Sequence, residues 1–256
     1  MRIACCAYSY REELQNGSMT LEDFLDTIAK VGFDAAELTA YYFPTTDRSY
    51  LNHIKRNVHE LGLTVSGTAV GSDFTQPDAA ARRSHIQMTK DWIRHSVVLG
   101  APTLRVFAGP IREGVTEEQS FRWCVECLQE CASAAEQEGV ILALENHGGL
   151  TANAEGTLRL LGAVGSDWLR LNLDFGNFVG DVYGQFERCA PYAAATHAKV
   201  HYNGPSGREA VDYMRVRTIL EGAGYHGYIA MEYEEPEPAA TGVPKFAETL
   251  FRAFRG

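Results

Sequence analysis

The strongest constraint on the fold of this chain is an alternation. Eight times, a short apolar run rich in β-formers is followed by a longer segment with helical periodicity. Parallel neighbouring strands need long crossover connections, so this pattern points to βαβ units. IACCAYSY, from Ile3 to Tyr10, is the first run, then FDAAELTA, LTVSGTAV and PTLRVFAG. VILALENHGG, LRLNLDFGN, AAATHAKVHYN and GYIAMEYEEP are the fifth to eighth. The helical segments carry their own boundary signals. Thr20 with Asp23, and Thr116 with Gln119, have capping-box spacing. Gly32, Gly62, Gly100 and Gly139 stand where four helices should stop. Further helices are expected around 49–61, 79–99, 158–164, 183–188, 210–221 and 245–254.

Eight strand–helix units in 256 residues match the count and length of a single (β/α)8 TIM barrel spanning 1–256. A doubly wound open sheet is the alternative. It loses ground because no G-x-G-x-x-G follows the first strand and no G-x-x-x-x-G-K-[ST] occurs. No linker, low-complexity tract or fixed-period repeat divides the chain. EEPEPAATG (234–242) comes nearest to a linker, and a loop over the barrel mouth is expected there.

Composition bounds the function. With 45% hydrophobic and 11% aromatic residues, disorder is excluded as the main state. No run of about 18 apolar residues exists, so no membrane span is expected. The opening MRIACCAYSYREELQNG lacks the apolar stretch of a secretory signal. The net charge of −10, with no local Lys/Arg cluster, argues against nucleic-acid and membrane partners. Six cysteines suggest no disulfide framework, which points to a reducing cytoplasm. Cys124, Cys127 and Cys131 fall at i, i+3, i+7 and read as a small apolar stripe facing the core, although CVEC is formally a C-x-x-C.

A parallel barrel places its active site at the C-terminal ends of its strands. There the fifth strand ends in Glu145, Asn146 and His147, and the sixth in Asp174 with Asn177 beyond. The seventh carries His197, Lys199 and His201, and the eighth Glu232 and Glu234. Each residue alone has an ordinary reading as a solvated end, a turn starter or a satisfied histidine. Together, four successive strands deliver an ionisable group to one rim, each after an apolar run. Glu145, Asp174, His197 and Glu232 would converge, and three carboxylates at one point repel unless a cation joins them. The oxygen-rich set favours one Mn²⁺, Mg²⁺ or Co²⁺, with Zn²⁺ also compatible.

LALENHGG (142–149), LNLDFGNF (171–178), THAKVH (196–201) and AMEYE (230–234) resemble the xylose isomerase-like TIM-barrel superfamily, the sugar phosphate isomerase/epimerase family, over essentially the whole chain. That resemblance implies a divalent-metal-dependent isomerase or epimerase. Glu145, Asp174, His197 and Glu232 would be the metal ligands. His197 is preferred to His201 because H-x-K is similar to the family's His-x-Lys-Asp strand. Val200 departs from that pattern, and His201 stays a candidate because 197, 199 and 201 share one strand face. Endonuclease-IV-like members use extra histidines for a three-zinc site. Those are missing here, which argues against DNA repair. Ketose 3-epimerases carry a histidine where Asn177 stands, which argues against that precise substrate class; Asn177 is expected among the substrate-binding residues.

The implied chemistry is proton transfer on a sugar or keto-sugar derivative through a metal-bound enediolate. Glu145 and Glu232 form the acid/base pair, and His147 and Lys199 are supporting catalytic groups. Arg105 is expected to hold a substrate oxygen, and Tyr8, Tyr10 and Phe107 to stack on a sugar ring. Glu37, ending the second strand, is a weaker candidate for a partner behind the ligands. A lyase or dehydratase acting on a keto-sugar or inosose would use the same site. A carbohydrate- or protein-binding barrel without turnover is the reading from another class. The expected partner is a small carbohydrate. A homo-oligomer is open, with YYFP (41–44) and the helix faces available for it.

Overall fold

The computed structural model of the protein describes residues 1–255. Its strands are β1 (Arg2–Cys6), β2 (Ala35–Thr39), β3 (Thr64–Ala69), β4 (Thr103–Val106), β5 (Ile141–Glu145), β6 (Leu169–Asp174), β7 (Ala193–Ala198), β8 (His201–Gly204), β9 (Gly207–Ala210) and β10 (Tyr228–Met231). Eight of them are parallel and close into a barrel in the order β1-β10-β7-β6-β5-β4-β3-β2. The other two, β8 and β9, form a separate antiparallel hairpin. Barrel strands are covered on both faces, by helices outside and packed side chains inside. That is why they read as near-continuous apolar runs, such as β2, where all five residues are buried.

The helices are α1 (Arg11–Asn16), α2 (Leu21–Val31), α3 (Arg48–Glu60), α4 (Ala79–Leu99), α5 (Glu117–Glu138), α6 (Ala154–Val164), α7 (Val182–Cys189), α8 (Tyr213–Gly222) and α9 (Ala239–Arg255). The capping boxes form as their spacing requires. Asp23 N donates to Thr20 Oγ1 (3.1 Å) while Thr20 N donates to the Asp23 carboxylate (3.0 Å). Thr116 and Gln119 do the same at 3.2 and 3.1 Å. α5 ends at Gly139 with φ of 72°, a conformation glycine adopts without a Cβ penalty. The three cysteines of α5 are buried, and all six cysteines are free thiols. Among the described residues, no helix is long and apolar enough to cross a membrane.

Three elements differ from the pattern expected of the sequence. The first strand stops at Cys6, and Ala7–Tyr10 is a turn of 3₁₀ helix leading into α1. Tyr10 therefore turns into the core, edge-on to Phe24 at 5.9 Å, and does not reach a sugar site. The seventh run breaks after Ala198. Its second half keeps strand periodicity but pairs in the β8–β9 hairpin rather than the barrel. Finally, α9 begins at Ala239, ahead of Pro244, because its buried face runs unbroken from Ala239 through Gly242, Val243 and Phe246 to Phe254. Gly242 has to be small: a Cβ there would sit 1.9 Å from the Tyr233 hydroxyl. That contact seats α9 against the segment carrying Glu232 and Glu234.

Candidate metal and substrate site

β5, β6, β7 and β10 deliver Glu145, Asp174, His197 and Glu232 to one point, with a ligand atom of each within 4.8 Å of the others. Register explains the convergence. Asp174 pairs directly with His197, Glu145 with Asn172, and His197 with Ala230, two residues before Glu232. All four are buried.

Each of these strand ends is locked by contacts to its backbone. Asn146 donates to Asp174 O (3.0 Å) and accepts from Asp174 N (2.8 Å), joining β5 to β6. Ser9 Oγ donates to Met231 O (3.1 Å) and accepts from Tyr233 N (3.0 Å), which clamps Glu232 from both sides. Tyr213, fully buried, donates its hydroxyl proton to Lys199 O at 2.5 Å.

Charge is the site's main problem. Glu37, Glu145, Asp174 and Glu232 are buried carboxylates, and the permanent cations buried with them are Arg105 and Lys199. With His197 neutral and every carboxylate charged, two negative charges are left over, the number one divalent cation would offset. Lys199 Nζ bonds Glu232 and Glu234 and lies 3.5 Å from Asp174 Oδ2. Arg105 Nε lies 3.4 Å from Glu145 Oε2. Glu145 also accepts from Asn172 Nδ2 (3.0 Å) and Asn177 Nδ2 (3.2 Å).

These contacts set the protonation states. Burial pushes Asp174 up to about 7, with Glu145 and Glu232 adding to it against Lys199. Burial opposes the His197 imidazolium, but Glu232, Glu37 and Glu145 together raise it well above the usual histidine range. Burial also works against the charges of Glu145 and Glu232. Even so, His197 with Arg105 lowers the first, and His197 with Lys199 holds the second well below the carboxylate range.

The donor set fits a cation. Asp174 Oδ1 accepts from Gly176 N (2.7 Å), while Asp174 Oδ2 and His197 Nδ1 are buried without a hydrogen-bond partner. His197 Nδ1 lies 3.2 Å from Glu145 Oε2 and 3.3 Å from Glu232 Oε2. Two buried atoms with unmet bonding capacity, facing each other from β6 and β7 beside two further carboxylates, are what a ligand shell looks like. Cys6, Glu37 and His197 also come within 4.8 Å of one another. There the imidazole nitrogen is already bonded to Glu37, and burial pushes the Cys6 thiol up to about 12, so it stays neutral.

Above the cluster opens a pocket of about 560 Å³, lined by Tyr8, Tyr41, Arg105, Phe107, Glu145, His147, Asn177, Lys199, Glu232 and Glu234. Of the side chains expected to meet substrate, Tyr8, Arg105, Phe107 and Asn177 line this pocket. Arg105 lies over the Phe107 ring at 3.9 Å, and Phe107 packs on His147 at 4.5 Å. His201 is not brought to this place: it sits on the hairpin with Nδ1 2.8 Å from Glu235. Sequence reading missed Asn172 and Tyr41. Asn172 was findable, since it precedes Asp174 by two and so shares its inward face. Tyr41 stood out only as an exposed aromatic segment, and the loop that turns it over the pocket has no sequence signature.

The chain belongs to the xylose isomerase-like TIM barrel family, whose model matches residues 25–250. It is similar to the D-psicose 3-epimerase of Ruminiclostridium cellulolyticum, 22% identical over 242 residues, covering 88% of this chain and 81% of that one. Among solved structures it resembles a D-psicose 3-epimerase crystallised in the presence of D-fructose, with a TM-score of 0.81, 17% identity and full coverage of both chains. It also resembles the probable 3-DHS dehydratase AsbF of Bacillus anthracis, with a TM-score of 0.77, 18% identity and full coverage of both chains.

Proposed function

We propose that this chain is a divalent-metal-dependent epimerase or isomerase of a keto-sugar, with Glu145 and Glu232 exchanging a proton at the carbon beside the carbonyl. One observation carries the reading: both carboxylates are buried, both line the pocket, and each lies within 3.3 Å of the same imidazole nitrogen. The relatives named as sugar 3-epimerases support the substrate class. Held by Glu145, Asp174, His197 and Glu232, a cation such as Mn²⁺, Mg²⁺ or Co²⁺, with Zn²⁺ also compatible, would supply Lewis-acid stabilisation of the negative charge developing on substrate oxygens.

The side chains divide the remaining work. One glutamate removes the proton, and the other returns one to the opposite face, which inverts the centre. Asn172 and Asn177 hold the two oxygens of Glu145 in place. Lys199, in contact with Glu232 and the more exposed Glu234, donates to whichever oxygen gains charge. Arg105 and His147 present polar edges, while Tyr8 and Phe107 offer faces to the C–H surface of a sugar ring.

The test is incubation of Mn²⁺-loaded protein with D-fructose, D-tagatose and D-psicose in D₂O. The expected result is one deuterium at the carbon next to the carbonyl, with formation of the epimer. No exchange into any keto-sugar would overturn the proposal. The position of Lys199 favours one second reading. Its ammonium, beside Glu232, would protonate a departing hydroxyl, which would make the enzyme a dehydratase. A product with a new conjugated double bond would select that reading.

Proton linkage gives an independent check on the cation. At pH 7 Asp174, pushed up to about 7, is partly protonated, and His197, raised well above its ordinary value, holds its proton. Ligands must shed these protons, so binding should release them and tighten as pH rises. Calorimetry of Mn²⁺ binding at pH 7, in two buffers of different ionisation enthalpy, should show more than one proton released per ion. Zero release would remove His197 and Asp174 from the ligand set.

A further inference from the structure

We infer that Glu37 is a positioning residue that fixes which nitrogen of His197 faces the ligand cluster. The inference rests on the metal-site reading above. No ligand comes from β2, yet Glu37 reaches from that strand to His197 on β7, with Oε2 2.7 Å from Nε2. Both side chains are buried. With Nε2–H donating to Glu37, Nδ1 is the nitrogen that faces Glu145, Asp174 and Glu232, and its lone pair would be the one offered to a cation there. A carboxylate behind a ligating imidazole fixes ring and tautomer and makes the nitrogen a stronger donor.

The backbone around Glu37 is shaped for this contact. The β2–β3 register shifts between Ala36 and Glu37: Ala36 pairs with Val65 and Glu37 with Gly67, leaving Ser66 over. Such an irregularity re-aims the side chain next to it. The facing residue is glycine, where a Cβ would fall 2.5 Å from Thr103 Oγ1 and 3.7 Å from Glu37 Oε1. A buried carboxylate with no task would be costly at this place. Holding His197 gives it one.

The experiment is a Mn²⁺ titration followed by the EPR signal of the free ion, on wild type, Glu37→Gln, His197→Ala and the double variant. Wild type should bind one ion. Glu37→Gln, which keeps the volume, should weaken binding by about 10–100-fold. In the His197→Ala background the same change should have no further effect, because Glu37 acts through that ring. A merely structural glutamate would weaken binding in both backgrounds, and that result would overturn the inference. So would unchanged affinity in Glu37→Gln. In Zn²⁺-loaded, ¹⁵N-labelled wild type the His197 Nε2 proton should be a slowly exchanging downfield resonance, moved upfield in Glu37→Gln. Should Glu37→Gln not fold, Glu37→Met takes its place, removing the acceptor for Nε2–H altogether. If wild type itself bound no Mn²⁺, the metal reading would fail first, and this inference with it. Normal wild-type binding with additive variants would sink the inference alone.

Discussion

Glu232→Gln is expected to lower kcat by about 10²–10⁴-fold, the usual contribution of a positioned acid or base. Glutamine has nearly the shape of glutamate, so the strand end held by Ser9 should keep its place. What disappears is the ability to take a proton, together with the negative charge that Lys199 and His197 face. Glu145→Gln should cost a similar factor for the same reason, with its amide now among the donors of Asn172 and Asn177. Both variants should also bind Mn²⁺ more weakly, so kcat has to be measured at saturating metal. Asp174→Asn and His197→Ala should chiefly lower metal occupancy. A near-normal rate in either glutamine variant, at full occupancy, would refute the two-carboxylate mechanism.

The barrel was legible because its signals are local. Strand runs, the capping boxes at Thr20 and Thr116 and the glycine stops are all read within a dozen residues, and apart from the far ends of the first and seventh runs they formed as expected. The convergence of the four candidate ligands was legible for a different reason. Barrel closure makes equivalent strand ends neighbours, so four separate apolar runs ending in Glu145, Asp174, His197 and Glu232 implied one point in space. Contacts that depend on where a strand bends were read only weakly or not at all. Glu37 stood as no more than a weaker candidate, since the register shift at Ala36 beside its contact with His197 leaves no composition signal. His201 shares strand periodicity with His197, yet the chain leaves the barrel after Ala198 and carries it to Glu235. Tyr10 was misplaced by the same kind of event, a strand that ended four residues early.

Lys199→Met should produce the largest change in stability, and its size should depend on metal and on pH. Lys199 is 8% exposed and faces Asp174, Glu232 and Glu234. Removing one partner of a buried ion pair typically costs about 3–5 kcal/mol, because the other charge stays behind uncompensated. At about 2–4 °C per kcal/mol for a domain approaching this size, the metal-free variant should melt roughly 6–20 °C below wild type. A divalent cation between Glu145, Asp174 and Glu232 would offset the same charges. Mn²⁺ should therefore raise the melting temperature of the variant by more than that of wild type. The pH dependence follows from Asp174, whose folded value of about 7 lies above the unfolded value of about 3.9. A raised carboxylate contributes stability that is present below its unfolded value and is lost as pH climbs through the folded one. Without Lys199, a cause that lowers Asp174 disappears and the carboxyl holds its proton to still higher pH. The metal-free variant should then be closest to wild type near pH 5 and furthest from it near pH 8. Thermal melts at those two pH values, with and without Mn²⁺, measure all of this. A penalty that ignores both metal and pH would mean that Lys199 matters for packing alone, and that the buried carboxylates are balanced by something other than Lys199 and a cation.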